Sequence, residues 1–207
     1  MDSGKSTLAL QMDHTQSAHD RQGRRFTSMD RSGDAWITSR IGLRERAVDV
    51  DPDFDFWRYL VAELSAGARI DYLICDEVQF YQPAHIDQMA RAVDELGIDA
   101  FCFGITADFR TELFPGSKRL FELADRVESM PVQPLCWCGR LGTTNARVID
   151  GAVVVEGSQV MVGDTQSAAS EVHYEVLCRR HYRERVPKGH SRATLSPEQL
   201  PLLPADE

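Results

Sequence analysis

Two short apolar runs stand out along the chain. Ile70-Asp71-Tyr72-Leu73-Ile74-Cys75 and Asp99-Ala100-Phe101-Cys102-Phe103-Gly104-Ile105 are nearly continuous rather than alternating. That is the pattern of strands covered on both faces in a parallel sheet. Between them, Pro83 opens a predicted helix that runs to about Leu96, with Gly97 as its stop. Upstream, residues 54–64 carry apolar side chains at 56, 57, 60, 61 and 64, which is helical spacing. Leu8-Ala9-Leu10-Gln11-Met12 begins an earlier helix expected to run to about Arg21 and to end at Gln22-Gly23. Short strands are expected over residues 24–29, 36–39 and 47–50, a turn or loop over 30–34, and a short helix over 117–124. Strands alternating with helices in this way predict an α/β fold, a parallel sheet with crossover helices.

The texture changes after Asp125. Gly, Thr, Val and Cys replace the helical pattern over 136–178, and residues 153–157 and 159–164 read as β-hairpin material. A second, small β-rich domain is expected here. Beyond Tyr182 the chain is rich in Pro, Arg, Ser and Glu, which predicts a mostly disordered tail. The length of 207 residues suits one α/β core with a small appendage. Lys and Arg number 23 against 32 Asp and Glu, a net charge of −9. Such a chain lacks the field that holds a nucleic-acid backbone. No apolar run approaches the roughly 20 residues of a membrane helix, and the first residues do not resemble a signal peptide. The five cysteines are unevenly spaced. With no secretory signal, thiols or metal ligands in a cytoplasmic protein are expected rather than a disulfide framework.

Three groups of residues carry candidate chemistry. Met1-Asp2-Ser3-Gly4-Lys5-Ser6-Thr7 contains the latter part of the phosphate-loop pattern G-x-x-x-x-G-K-[ST]. In that pattern backbone N–H groups surround phosphate oxygens, the Lys reaches the outer phosphates and the hydroxyl binds Mg²⁺. The first Gly, and the strand that would deliver the loop, would lie upstream of Met1. This motivates the expectation that Met1 is an internal methionine of a longer chain. The plainer reading of Gly4-Lys5-Ser6 is a helix cap. Asp76-Glu77 follows the first buried run; in phosphate-loop proteins an acid there contacts the Mg²⁺ shell. Adjacent strand residues point to opposite faces, so one acid would face the metal and the other the substrate; the plainer reading is two solvated strand-end acids. Finally, Cys136, Cys138, Cys178 and His181 form a four-ligand set suited to tetrahedral zinc, or else unligated thiols. Cys75 and Cys102 lie in the apolar runs and read as small buried core residues.

Together these pieces resemble the thymidine kinase family of the cytosolic, zinc-containing type, over nearly the whole chain to about Tyr182. The family's loop G-x-M-x-S-G-K-[ST] is matched in part by Met1-Asp2-Ser3-Gly4-Lys5-Ser6. Its D-E-[AV]-Q-F appears as Asp76-Glu77-Val78-Gln79-Phe80, and its D-F-[RQ] and F-P-G-S as Asp108-Phe109-Arg110 and Phe114-Pro115-Gly116-Ser117. The resemblance implies a RecA-like phosphate-loop domain over 1–130, a zinc-binding domain with a lasso loop over 131–183, and a tail over 184–207. It implies transfer of the ATP γ-phosphate to the 5′-hydroxyl of thymidine, with Glu77 as general base. Ser3, Gly4, Lys5, Ser6, Thr7, Asp76 and Gln79 would contact ATP, and Ser6 with Asp30 would hold Mg²⁺. Met1, Phe80, Phe109, Phe114, Asn145, Val160, Val162, Gly163 and Tyr174 would surround the nucleoside; Asn145 stands where many members have Thr. Structural zinc would tie the lasso down. A homotetramer inhibited by thymidine triphosphate is implied as well. Two other readings are a truncated, weakly active remnant of such a kinase and a different phosphate-loop enzyme such as a small ATPase.

Overall fold

The computed structural model describes residues 3–28, 35–159 and 172–189. The chain divides into two compact units, Met1–Gln133 and Pro134–Glu207. In the first, helix α1 (Lys5–Ser17) precedes strand β1 (Gly23–Thr27), a hairpin of β2 (Trp36–Thr38) and β3 (Arg44–Arg46), and β4 (Val48–Asp49). Then follow α2 (Phe56–Ser65), β5 (Tyr72–Cys75), α3 (Pro83–Leu96), β6 (Asp99–Cys102) and α4 (Pro115–Leu123). Strands β4, β1, β5 and β6 lie in that order in one sheet, and every pair is parallel. The expected α/β architecture is therefore present.

All four residues of β5 are buried, as an unalternating apolar run requires. Leu73 and Cys75 pack on one face with Phe56 and Leu60 of α2 and Ile86, Met89 and Ala92 of α3. Tyr72 and Ile74 pack on the other with Ala9 and Leu10 of α1 and with Ile37. The first face carries an aromatic cluster: the Phe26 ring lies 4.9 Å from Phe56 and 5.6 Å from Tyr59. Asp55 caps α2 by accepting from the Arg58 N–H at 2.8 Å. α3 ends where its glycine predicts, with Gly97 at φ +67°.

The departures have local causes. α1 stops at Ser17 rather than near Arg21, because Asp20 turns the chain at φ +58°. Arg21 instead donates to the Gln16 side chain, the Asp71 carbonyl and the Asp99 carboxylate. β3 was not expected: its residues Arg44, Glu45 and Arg46 are all exposed, so no apolar alternation announces it. α4 starts two residues early, at Pro115, a residue preorganised for the first helical position.

The second unit holds an antiparallel sheet of β7 (Thr144–Ile149), β8 (Ala152–Val154) and β9 (Val172–Leu177) in the order β8-β7-β9, followed by α5 (Arg179–Glu184). Its hairpin joins β7 to β8 through Asp150 and Gly151, both at positive φ. That is the geometry an Asp-Gly turn supplies. Of the stretches expected as β-hairpin material, residues 153 and 154 lie in β8 and pair with β7; residues 160–164 lie outside the described residues. The unit continues through residue 189: the Trp137 indole N–H donates to the Val186 carbonyl, and the Lys188 N–H donates to Glu175. Among the described residues no helix is long and apolar enough to cross a membrane.

Candidate active site

The start of α1 meets the carboxyl end of β5. Gly4 precedes the helix at φ +76°, a conformation open to glycine at little cost. The turn places Lys5 and Ser6 in the first helical positions, where free N–H groups and the helix dipole favour an anion. Ser6 Oγ donates a 2.5 Å hydrogen bond to Asp76 Oδ2, and the other carboxylate oxygen accepts from the Glu77 N–H at 2.9 Å. Asp76 is 2% exposed. Burial pushes its carboxyl above the usual carboxylate range; the Ser6 hydrogen bond opposes this, the Glu77 charge adds to it and Lys5 opposes it. A buried carboxylate joined to a hydroxyl beside a lysine is a donor set that Mg²⁺ would complete.

Glu77 lies outside the strand at φ +54°, ψ +34°. Strand alternation therefore does not separate the two acids, because β5 ends at Cys75. A left-handed backbone, uncommon outside glycine, does so instead. Both acids line a cavity of about 240 Å³, with Ser6, Thr27, Ser28, Trp36 and Thr38. Sequence reading missed Thr27, Ser28, Trp36 and Thr38. The signal available was topological: ligands of parallel sheets bind beyond the carboxyl ends of the strands. A larger open hollow of about 410 Å³ lies elsewhere, around Asp51, Asp53, Asp55 and Tyr59. There Asp55 caps α2 and Asp51 accepts from the Asp53 N–H.

After Glu77 a single 3₁₀ turn, Val78–Phe80, is held by the Val78 N–H donating to the Phe103 carbonyl. Gln79 is buried; its Nε2 donates to Glu77 Oε2 and its Oε1 accepts from the Ile105 N–H at 3.2 Å. The Phe80 ring meets Phe114 edge-on, with centroids 5.8 Å apart. Phe109 is fully buried, and the Arg110 guanidinium lies 5.9 Å from its centroid. Asp108 ties this loop by accepting from the Arg110 and Glu112 N–H groups at 2.8 and 3.0 Å. Lys5, Ser6, Asp76, Glu77, Gln79, Phe80, Phe109 and Phe114 thus all belong to the first unit, with Ser3 and Thr7 flanking the helix start. Met1, Asp30, Val160, Val162 and Gly163 lie outside the described residues.

In the second unit Tyr174 of β9 stands opposite Arg147 of β7, and Asn145 opposite Val176. Arg147, which sequence reading did not single out, is 1% exposed. Its Nε donates to Tyr174 Oη at 2.9 Å, and its outer nitrogen donates to the Ser158 and Gln159 carbonyls at 3.1 and 3.3 Å. One guanidinium therefore joins Tyr174 to the chain leaving β8. Below this sheet the ligand atoms of Cys136, Cys138, Cys178 and His181 all lie within 4.8 Å of one another. Cys136 Sγ and Cys178 Sγ are 3.4 and 3.6 Å from His181 Nδ1, and Cys138 Sγ is 4.0 Å from Cys178 Sγ. The edges of a tetrahedron around zinc with thiolate and imidazole ligands are about 3.3–3.8 Å, so the donor set and spacing fit that metal. Burial opposes charge on the Cys178 thiol, but the His181 N–H, neighbouring thiols and the Arg180 N–H bring it below the ordinary thiol value. The Trp137 ring stacks on His181 at 4.1 Å and fixes its plane.

A lysine and a hydroxyl at a helix start, facing an acid at the end of the adjoining parallel strand, define a phosphate-binding α/β protein of the P-loop class. A thymidine kinase family model matches residues 1–182. The chain is 66% identical to the thymidine kinase of Cutibacterium acnes over 202 residues, 98% of this chain and 93% of that protein. It is 54% identical to that of Streptomyces avermitilis over 206 residues, 99% and 95% of the two chains. It is 39% identical to that of Lactobacillus johnsonii over 194 residues, 88% and 92%. The chain belongs to the thymidine kinase family.

Proposed function

We propose that this chain transfers the γ-phosphoryl group of ATP to the 5′-hydroxyl of thymidine. The observation that carries this reading is the pair of acids at the end of β5. Asp76 is engaged with Ser6 at the phosphate-binding helix start, while Glu77 turns into the same cavity by its left-handed backbone. Lys5 neutralises charge on the outer phosphates, and Ser3, Gly4 and Thr7 bracket them with the helix N-terminus. Ser6 and Asp76, with Asp30, would hold Mg²⁺, which when bound neutralises charge between the outer phosphates. Glu77 takes the proton from the 5′-hydroxyl as the oxygen attacks phosphorus. Phosphoryl transfer needs little beyond positioning and charge, so this small set suffices.

Phe80, Phe109 and Phe114 give the nucleoside flat apolar walls. By the family pattern Asn145, Tyr174, Val160, Val162, Gly163 and Met1 would contact the nucleoside as well. Cys136, Cys138, Cys178 and His181 would hold zinc, which gives the small unit its shape and takes no part in the transfer. The same reading places the chain in the cytoplasm as a homotetramer restrained by thymidine triphosphate. The test is ADP release by purified protein with ATP, Mg²⁺ and a panel of nucleosides. Release that depends on thymidine is expected, and release independent of any nucleoside, or none with pyrimidine deoxynucleosides, refutes the reading.

A further inference from the structure

We propose that Gln79 is a positioning residue for the general base, resting on the role of Glu77 above. A buried primary amide has two ends, and here protein groups engage both. The Ile105 N–H can only donate, so the amide end it meets at 3.2 Å is the Oε1 acceptor. Nε2 therefore faces Glu77 and donates to Oε2. Glu77 is also held at its backbone, where its N–H donates to Asp76 Oδ1 at 2.9 Å. One carboxylate oxygen is tethered through Gln79 to the segment that follows β6, and Oε1 is left to receive the hydroxyl proton.

The tether depends on a glycine. A Cβ at Gly104 would lie 2.8 Å from Gln79 Oε1 and 2.8 Å from Val78 Cγ2, with the Gln79 nitrogen at 3.3 Å. Only a residue without a side chain lets the amide reach Ile105. The contact thus spans the ends of two parallel strands, and the orientation of Glu77 is built from both. An amide engaged at both ends in this way serves the base rather than the phosphates of ATP.

Three variants test this. Gln79→Glu keeps an acceptor for the Ile105 N–H but replaces the donor facing Glu77 with a second carboxylate; Gln79→Met removes both. Gly104→Ala displaces the amide and leaves Gln79 itself intact. For both Gln79 variants kcat is expected to fall about 10–100-fold with the KM for ATP within about twofold, the split expected when an interaction is used in the transition state. Gly104→Ala should lower kcat in the same sense, by a smaller factor. In the Glu77→Gln background Gln79→Met should cost nothing further, because residues acting through one another are not additive. A KM for ATP that rises while kcat holds, kcat unchanged in all three variants, or losses that multiply in the double variant would overturn the proposal. A melting-temperature cycle of Glu77→Ala and Gln79→Met, each of which removes the hydrogen bond, run without substrate, should show coupling between the two sites; additive shifts refute the contact. A parent protein without thymidine-dependent ADP release refutes the functional reading instead, and the melting cycle still decides the tether.

Discussion

Replacing Asp76 with Asn separates what this acid does for the reaction from what it does to the fold. Asn has the same shape, and both hydrogen bonds survive it. Its Oδ1 accepts from the Glu77 N–H, now 2.9 Å from Asp76 Oδ1, and its Nδ2 donates to Ser6 Oγ, which has free lone pairs. What disappears is a buried charge that Lys5 and Ser6 compensate only in part. Replacing buried charge by a neutral group of equal volume is often stabilising by about 1–4 kcal/mol, and losing the attraction of Lys5 puts Asp76→Asn near the low end. For a unit of this size that raises Tm by about 3–5 °C.

The pH dependence gives the sharper check. The carboxyl titrates near 3.8 in the unfolded chain and higher in the fold. Between the two values the folded protein keeps a proton that the unfolded chain has released, so raising the pH through this window costs the parent protein stability. Above the folded value the cost is complete; below 3.8 it is gone. Asn has no such cost. The Tm advantage of Asp76→Asn should be largest at neutral pH and shrink as the pH falls toward 4. Circular-dichroism melts in Mg²⁺-free buffer across this range measure it. ADP release at saturating substrates should fall at least about 100-fold in the same variant, because Mg²⁺ loses an anionic partner. A variant that melts below the parent at neutral pH, or by a constant offset at every pH, refutes the reasoning.

Glu77→Gln should lower turnover about 10²–10⁴-fold to a residual rate that single-turnover assays still read, and leave thymidine binding by calorimetry within about threefold, since the amide keeps the shape but cannot take the proton; loss of binding would make Glu77 structural. Cys178→Ser should lower bound zinc, measured by atomic emission, and lower Tm, because the remaining three ligands leave the tetrahedron open; a parent protein purified without zinc would refute the assignment. Arg147→Met should raise the KM for thymidine about tenfold with zinc content unchanged, since Tyr174 Oη and the Ser158 and Gln159 carbonyls lose a charged donor. Gly116→Ala should cost more activity than Gly104→Ala, because its Cβ would lie 2.5 Å from the Val78 carbonyl oxygen and 2.6 Å from that of Tyr81, backbone atoms that cannot step aside.

The parts of this fold that were legible in the sequence are those where burial imposes a composition. β5 is covered on both faces, so Tyr72-Leu73-Ile74-Cys75 has to be apolar throughout, and its place in a parallel sheet could be read directly. α3 has proline at its first position, glycine after its last and buried residues at 86, 89 and 92, so its limits followed from local chemistry. β3 failed the same reading because nothing buries its three charged residues; it is held by pairing with β2, by Arg44 and Arg46 over the Trp36 ring and by Arg25, contacts no apolar pattern announces. β7 escaped because half its residues are only partly covered, so the hairpin that Asp150-Gly151 closes between it and β8 carries no strong apolar signal.

The site divides along the same line. Asp76, Glu77, Lys5 and the four zinc-type ligands are conspicuous because charged or thiol side chains are costly in the places they occupy. The residues that aim them are not conspicuous. Gln79, Gly104 and Arg147 are ordinary residue types, and each acquires its role from a contact made across the sequence: Gln79 with residue 105, Gly104 with residue 79, Arg147 with residues 158 and 174. The expectation that adjacent strand residues would send Asp76 and Glu77 to opposite faces is not met: the strand ends at Cys75 and both acids line one cavity. A left-handed residue held by a buried amide, rather than pleating, sets where the Glu77 side chain points. Such a conformation costs of order 1 kcal/mol or more and persists only where its surroundings over-determine it. The Val78 N–H to Phe103 bond, the Gln79 tether and the close approaches at Gly104 and Gly116 are those surroundings. The orientation of Glu77 is therefore set by segments packed at the carboxyl ends of β5 and β6, and substitutions in any of them should reach the proposed chemistry without touching a substrate.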